Sequence, residues 1–178
     1  MRLDQYNANE FDRGETIVLE SLWYVLGVLL ASPIPGSRWR VALLRAFRAR
    51  IGSGCVIKPG VRVKFPWRLD VGDYCWIGEC VWIDNLAKVS IGNNVCISQG
   101  AYLCTGSHDW QKSSFDLLTA PIIIKDHAWL CAKVTVAPGT KIQSGAVLGL
   151  GSVGGGVLNE WTIYKGNPAI SVKKRERE

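Results

Sequence analysis

The sequence predicts an all-β chain built around a parallel β-helix of six-residue repeats. Three observations carry that expectation. Aliphatic residues return at every sixth position over most of residues 51–148. Small or β-branched residues sit four places after them. The register fails badly only once, between residues 104 and 123, where a loop is extruded.

The stations run Ile51, Ile57, Val63, Leu69; then, after a slip of two residues, Val71, Ile77, Ile83, Val89; then, after a second slip, Ile91, Ile97 and Leu103. The phase resumes at Ile124, Leu130, Val136, Ile142 and Leu148. Gly52, Gly72, Gly78, Gly92, Ser98 and Gly149 follow stations directly, and Cys55, Val61, Cys75, Val81, Val95 and Ala101 come four places later. A short strand pointing one aliphatic side chain inward, then a tight turn, then a small inward residue where flat faces meet explains each choice. Period six excludes a helix, and hairpins would not keep one phase for so long. The two-residue slips read as corner insertions between coils of three hexads.

Residues 1–50 are not repetitive and read as a helical cap. The apolar stretch 16–31 carries one charge, Glu20, and is too short and interrupted to cross a bilayer. It is expected to pack on an end of the solenoid, which needs capping. The competing reading is attachment at a membrane surface, to which the basic segment 38–50 (RWRVALLRAFRAR) is suited; a solvated helix face is the plainer account of its arginines. Residues 154–178 are a glycine run, a short apolar strand and a charged tail. The division is therefore 1–50, cap, and 51–178, β-helix with its tail.

Composition is globular: 48% apolar and 20% charged over 178 residues, with net charge +6. The basic surplus suits nucleic acid, an anionic membrane or a phosphorylated small molecule alike. None of the six cysteines forms a C-x-x-C pair, and most fall where the repeat wants small residues, so they read as reduced core or turn residues. The polar N-terminus, with Asp4, Glu10 and Asp12, lacks the pattern of a signal peptide, so the expected location is cytoplasmic, with the inner face of the membrane as an option.

A solenoid has no structural need for the excursion at 104–123, and insertions in repeat proteins often build the binding face. His108, one of two histidines, stands at its root within Ser-His-Asp. It offers a base that titrates near neutral pH, beside Asp109, which is a candidate to orient it. His127 falls in a turn and reads as an exposed corner residue.

The segments IGNNVCISQGAYLCTGSHDW (91–110), APIIIKDHAWLCAKVTVAPGTKI (120–142) and TIYKGNPA (162–169) resemble the hexapeptide acyltransferases of the maltose and galactoside O-acetyltransferase type. LDQYN (3–7) and WIGECVWIDNLAKVSIG (76–92) add a resemblance to the acetyltransferases of colanic acid biosynthesis. That resemblance implies a left-handed coil, against the usual right-handed rule for parallel crossovers. It implies a homotrimer, acetyl-CoA as donor, and a sugar or lipid-linked oligosaccharide hydroxyl as acceptor, with no metal and no nucleic acid. It makes His108 the general base of a direct transfer. It places coenzyme A along Trp129, Ala132, Leu150, Gly151 and Ser152, with Lys165 and Lys173 meeting phosphates. Glu79, Asp84 and Asn85 become candidate acceptor contacts, and Trp82 and Trp110 candidates to stack on a sugar.

The chain also departs from that pattern. Gly154, Gly155 and Gly156 stand where many relatives carry Thr-Lys, and Gly78 aligns with the galactoside enzymes' sugar-binding asparagine, so acceptor choice should differ. A zinc carbonic anhydrase of the same helix needs three histidine ligands, and two histidines are present. An amino-sugar N-acetyltransferase and a non-catalytic trimeric scaffold are the remaining alternatives.

Overall fold

A hexad can bury its aliphatic station only if another hexad stacks on it, so the repeat closes its core by coiling. The computed structural model, which describes residues 1–7 and 11–176, shows that coiling directly. Two helices, α1 (Ile17–Leu30) and α2 (Arg38–Ala46), precede it. The first coil is β1 (Arg50–Ile51), β2 (Val56–Ile57) and β3 (Arg62–Val63); the second is β4 (Leu69–Val71), β5 (Trp76–Ile77) and β6 (Trp82–Asp84). The third is β7 (Val89–Ile91), β8 (Cys96–Ile97) and β9 (Tyr102–Cys104), from which the hairpin β10 (Gly106–His108) and β11 (Leu117–Thr119) projects. Then come β12 (Ile122–Ile124), β13 (Trp129–Leu130) and β14 (Thr135–Val136), followed by β15 (Lys141–Ile142), β16 (Val147–Leu148) and β17 (Val153–Gly154). The chain ends on β18 (Val157–Leu158), β19 (Thr162–Gly166) and β20 (Ala169–Lys174).

Strands stack in parallel register into three faces: β1-β4-β7-β12-β15-β18, β2-β5-β8-β13-β16-β19 and β3-β6-β9-β14-β17. Ile51 lies beside Val71, Val71 beside Ile91, Ile91 beside Ile124, and so on to Leu158. All the aliphatic stations are buried in one continuous core. In the third face the inward column runs Val63, Ile83, Leu103, Val136 and then Gly154, where a Cβ would stand 2.9 Å from Leu148 Cδ2. The glycine run therefore begins at an inward position already filled by Leu148.

The two-residue slips are corner insertions, as expected. Leu69 and Val71 are both buried on one longer strand, as are Val89 and Ile91. The extra chain lies at the corner between the third face and the first, and the hairpin leaves from that corner one coil later.

Helix α1 starts at Thr16, whose hydroxyl accepts the Leu19 N–H at 3.4 Å. It packs on the first coil through Trp23, whose ring lies 5.0 Å from that of Phe47 and whose Nε1 donates to the Val63 carbonyl at 3.1 Å. The basic segment differs from expectation in two ways. Its helix stops at Ala46, because Arg48 turns with φ 67° into β1. Arg40 is not on a solvated face: it is fully buried and donates to the carbonyls of Leu30, Ser32, Ile34 and Gly36, bracing the α1–α2 turn. The C-terminal segment is not a free tail as far as Lys174, since β20 runs antiparallel to β19.

Candidate active site

The hairpin exists because a strand pair can extend sideways from a corner without disturbing the coil. Gly106 pairs with Thr119, Ser107 with Leu118 and His108 with Leu117. Gly106 permits a close approach, since a Cβ there would meet Leu86 Cδ1 at 2.5 Å. At the tip the chain turns back so that Asp109 N–H donates to the Asp116 carbonyl at 2.9 Å. Phe115, with φ 53°, turns its own carbonyl toward the histidine.

His108 Nδ1 lies 2.8 Å from that Phe115 carbonyl oxygen. A carbonyl can only accept, so Nδ1 carries the hydrogen and, in the neutral ring, Nε2 carries the lone pair. The ring is also held on two sides. Phe115 stacks on it at 4.2 Å and 2°, and Tyr6 meets it edge-on at 5.5 Å. Tyr6 arrives because the N-terminal segment crosses the hairpin, with Arg2 N–H donating to the Ser113 carbonyl at 2.7 Å.

Asp109 does not orient the imidazole. Its Oδ1 accepts the Gln111 N–H at 3.0 Å, a turn contact, and the orienting role falls to a backbone carbonyl. His108 lines a mostly apolar cleft of about 450 Å³ with Trp110, Leu118, Ala120 and Pro138. A polar cavity of about 710 Å³ lies between the hairpin and the N-terminal segment, lined by Asn7, Asp12, Arg68, Ser114 and Asp116.

The proposed coenzyme A positions gather at a different corner, between the second face and the third. Gly151 N–H donates to the Ala132 carbonyl at 3.0 Å, stacking one turn on the other. Below them Lys133 N–H reaches Gln99, and Gly100 N–H reaches Glu79, so Glu79 belongs to this column rather than to the His108 corner. Leu150 is exposed, and a Cβ on Gly151, which has φ +66°, would meet nothing within 4 Å. Trp129 is partly exposed and tethered by its Nε1 to Ser98 Oγ at 3.0 Å. Lys165 crosses over Gly149 and is exposed. Lys173 is exposed on β20, beside Ile163. Ser152 offers no side chain to a ligand: it is 1% exposed and its Oγ accepts the Gly166 N–H at 2.9 Å.

Two acceptor candidates have structural employment. Asn85 is fully buried; its Oδ1 accepts the Phe65 N–H at 2.9 Å and its Nδ2 donates to the Phe65 carbonyl at 2.7 Å. No surface of it is left for a sugar, and it braces the corner from which the hairpin springs. Asp84 pairs with Lys64 at 3.1 Å and accepts the Tyr102 hydroxyl at 3.1 Å. Burial, then Cys104, then Asp84 push the Tyr102 hydroxyl well above its ordinary range. Trp82 is tilted against Tyr102 at 4.7 Å and covered by Arg62, whereas Trp110 is fully available. His127 is an exposed corner residue with φ 61°, as its turn position implied. Among the described residues no three His, Cys, Asp or Glu side chains are placed to hold a metal ion.

The sequence reading missed Phe115 and Tyr6. The LDQYN segment gave a signal for Tyr6, through its resemblance alone; nothing in the sequence marks a phenylalanine whose contribution is a carbonyl.

No family model matches the chain. The Escherichia coli K12 protein named "Putative colanic acid biosynthesis acetyltransferase WcaF" is 40% identical over 166 residues, covering 93% of this chain and 91% of that protein. The chain belongs to the hexapeptide-repeat acetyltransferases. It is an acyltransferase of that family, and His108 with its hairpin is its candidate catalytic element. Among solved structures, a hexapeptide-repeat acetyltransferase from Vibrio cholerae O1 biovar eltor complexed with acetyl coenzyme A superposes with a TM-score of 0.85 at 22% identity, over 98% of this chain and 97% of that one. A maltose O-acetyltransferase from Clostridium difficile 630 gives 0.77 at 21% identity, over 91% and 90%. Both share this acetyltransferase's fold.

Proposed function

We propose that this acetyltransferase transfers acetyl from acetyl-CoA to a sugar hydroxyl in extracellular polysaccharide synthesis, working as a homotrimer with His108 as general base. The observation that carries the mechanism is the 2.8 Å contact between His108 Nδ1 and the Phe115 carbonyl. It leaves Nε2 as an acceptor for the hydroxyl proton, while the Phe115 and Tyr6 rings hold the imidazole in place. The bound donor supplies an acetyl thioester. His108 takes the acceptor proton as that oxygen forms its new bond to the acetyl carbon, and returns it to the departing sulfur, so the enzyme ends unchanged.

The corner column fits a pantetheine arm. Ala132 and Gly151 keep the backbone accessible, Leu150 and Trp129 offer apolar surface, and Lys165 and Lys173 suit phosphates. This column and His108 occupy different corners of one chain's triangular section, joined by the third face. A trimer, in which one chain's hairpin meets a neighbour's column, brings them together. The sugar reading rests on the relative named for colanic acid biosynthesis and the neighbour named as a maltose O-acetyltransferase.

The test is acetyl transfer over a panel of sugars, sugar nucleotides and lipid-linked oligosaccharides, amino sugars included. His108→Ala should lose roughly two to four orders of magnitude in turnover, and near-wild-type turnover in that variant refutes the base. Product linkage separates O- from N-acetylation. Mixing inactive His108→Ala and Gly151→Trp chains should restore part of the activity if each site spans two subunits; no recovery refutes that arrangement.

A further inference from the structure

Helix α1 is apolar on the wrong side. Its packed side is made by Leu19, Trp23, Leu26 and Leu30, as a capping helix requires. Its outward side should then be polar. Instead Ile17, Val18, Leu22, Tyr24, Val25 and Val28 are all exposed, from 52% at Leu22 to 85% at Tyr24. At about 100° per residue these side chains sweep an arc of roughly 160°, in which Ser21 is the single polar residue. Glu20 lies at the edge of the arc, neutralised by Arg13. A contiguous exposed apolar patch of this kind marks an interaction surface.

Charge selects the occupant. Between Glu20 and Asp70 the chain contains no Asp or Glu. The same stretch builds α2 and the first coil, and exposes Arg38, Arg45 and Arg62 at the end of the solenoid that α1 caps, together with Arg48, Arg50 and Lys64, which pair with Glu15, Asp70 and Asp84. An apolar helix face flanked by Arg38, Arg45 and Arg62, which make no ion pair among the described residues, complements an anionic bilayer. No helix among the described residues is long and apolar enough to cross a membrane. The fourteen residues of α1 extend about 21 Å, short of the roughly 30 Å hydrocarbon core. Lying in the interface is the geometry that remains.

We propose that α1 seats its exposed face in the interfacial layer of an anionic membrane, with the arginines of α2 and the first coil against the headgroups. The solenoid then stands on the membrane by its N-terminal end, independently of which acceptor the enzyme uses.

Flotation of the full-length protein with phosphatidylcholine vesicles, with and without phosphatidylglycerol, tests this. Wild type should float with the anionic vesicles at low salt, weakly with the neutral ones, and progressively less as salt rises. Val25→Asp/Val28→Asp alters only exposed positions and should weaken partition at least about tenfold, with an unchanged circular dichroism spectrum. Arg38→Gln/Arg62→Gln should weaken it by about thirtyfold, from roughly 1 kcal/mol per cation at the surface. Absence of wild-type flotation with anionic vesicles overturns the proposal, as does wild-type binding by the folded Val25→Asp/Val28→Asp protein. Loss of oligomer mass in that variant, with no vesicle binding by wild type, would assign the face to a second copy of the chain and also overturn it.

Discussion

Asn85→Ala separates a brace from a binding residue. Asn85 is 0% exposed and answers both backbone groups of Phe65, at 2.9 and 2.7 Å. Alanine removes both partners and leaves a buried N–H and a buried C=O. Each orphaned group costs about 1–3 kcal/mol, so the loss should be about 2–6 kcal/mol. For a chain of this length about 4 kcal/mol lowers Tm by roughly 8–16 °C. Asn85→Asp keeps an acceptor for the N–H but sets a carboxylate against the Phe65 carbonyl, and should fare no better. The assay is urea denaturation beside steady-state kinetics on the folded fraction. The corner also supports the hairpin, through Thr105, whose Oγ1 donates to the Asp84 carbonyl and accepts the Ala87 N–H. Some loss of kcat is therefore expected, but the acceptor KM should change less than twofold if Asn85 touches no substrate. A variant within 1 kcal/mol of wild type, or one with intact stability and a tenfold higher acceptor KM, would falsify the brace.

Further outcomes follow at Phe115, Gly72 and Cys75. Phe115→Gly keeps the φ 53° backbone, and hence the carbonyl on His108, and loses only the stacked ring; kcat should fall about fivefold, in line with an aromatic pair of about 1 kcal/mol. Phe115→Pro forbids that φ, moves the carbonyl, and should approach the His108→Ala loss. At Gly72 an added Cβ would stand 2.7 Å from the Gly92 carbonyl carbon and 2.8 Å from its oxygen, so Gly72→Ala must pry two coils apart; calorimetry should show about 1–3 kcal/mol of destabilisation. Burial pushes the Cys75 thiol up from 9.0 to about 11. Unfolded chains therefore release this proton first, and its contribution to stability is lost as pH rises from about 9 toward 11. At pH 8 iodoacetamide should label exposed Cys80 and spare Cys75, which mass spectrometry reads directly.

The coil was legible in the sequence because its information is local. Each station must bury an aliphatic side chain, each corner must turn, and the demand repeats every six residues, so Ile51 to Leu148 announce themselves without knowledge of their neighbours. His108 was legible for the complementary reason: it stands where the demand is broken. Its partners were not. Asp109 is adjacent in sequence, and adjacency suggested an orienting carboxylate, but the turn at Phe115 brought a carbonyl to Nδ1 instead. Ser152 and Asn85 carry the right chemistry for binding, and stacking between coils consumed it. Arg40 looked like a solvated cation and became a buried brace.

The sequence by itself determined the coil, its phase, its one excursion and the histidine that stands on it, since each depends on residue type and spacing along the chain. The tertiary structure alone decided which polar side chains remain free, how the imidazole is oriented, and that α1 turns an apolar face outward. Those properties depend on what lies a coil away or across a corner, where hydrogen bonds and exposure are set by contacts between residues far apart in sequence.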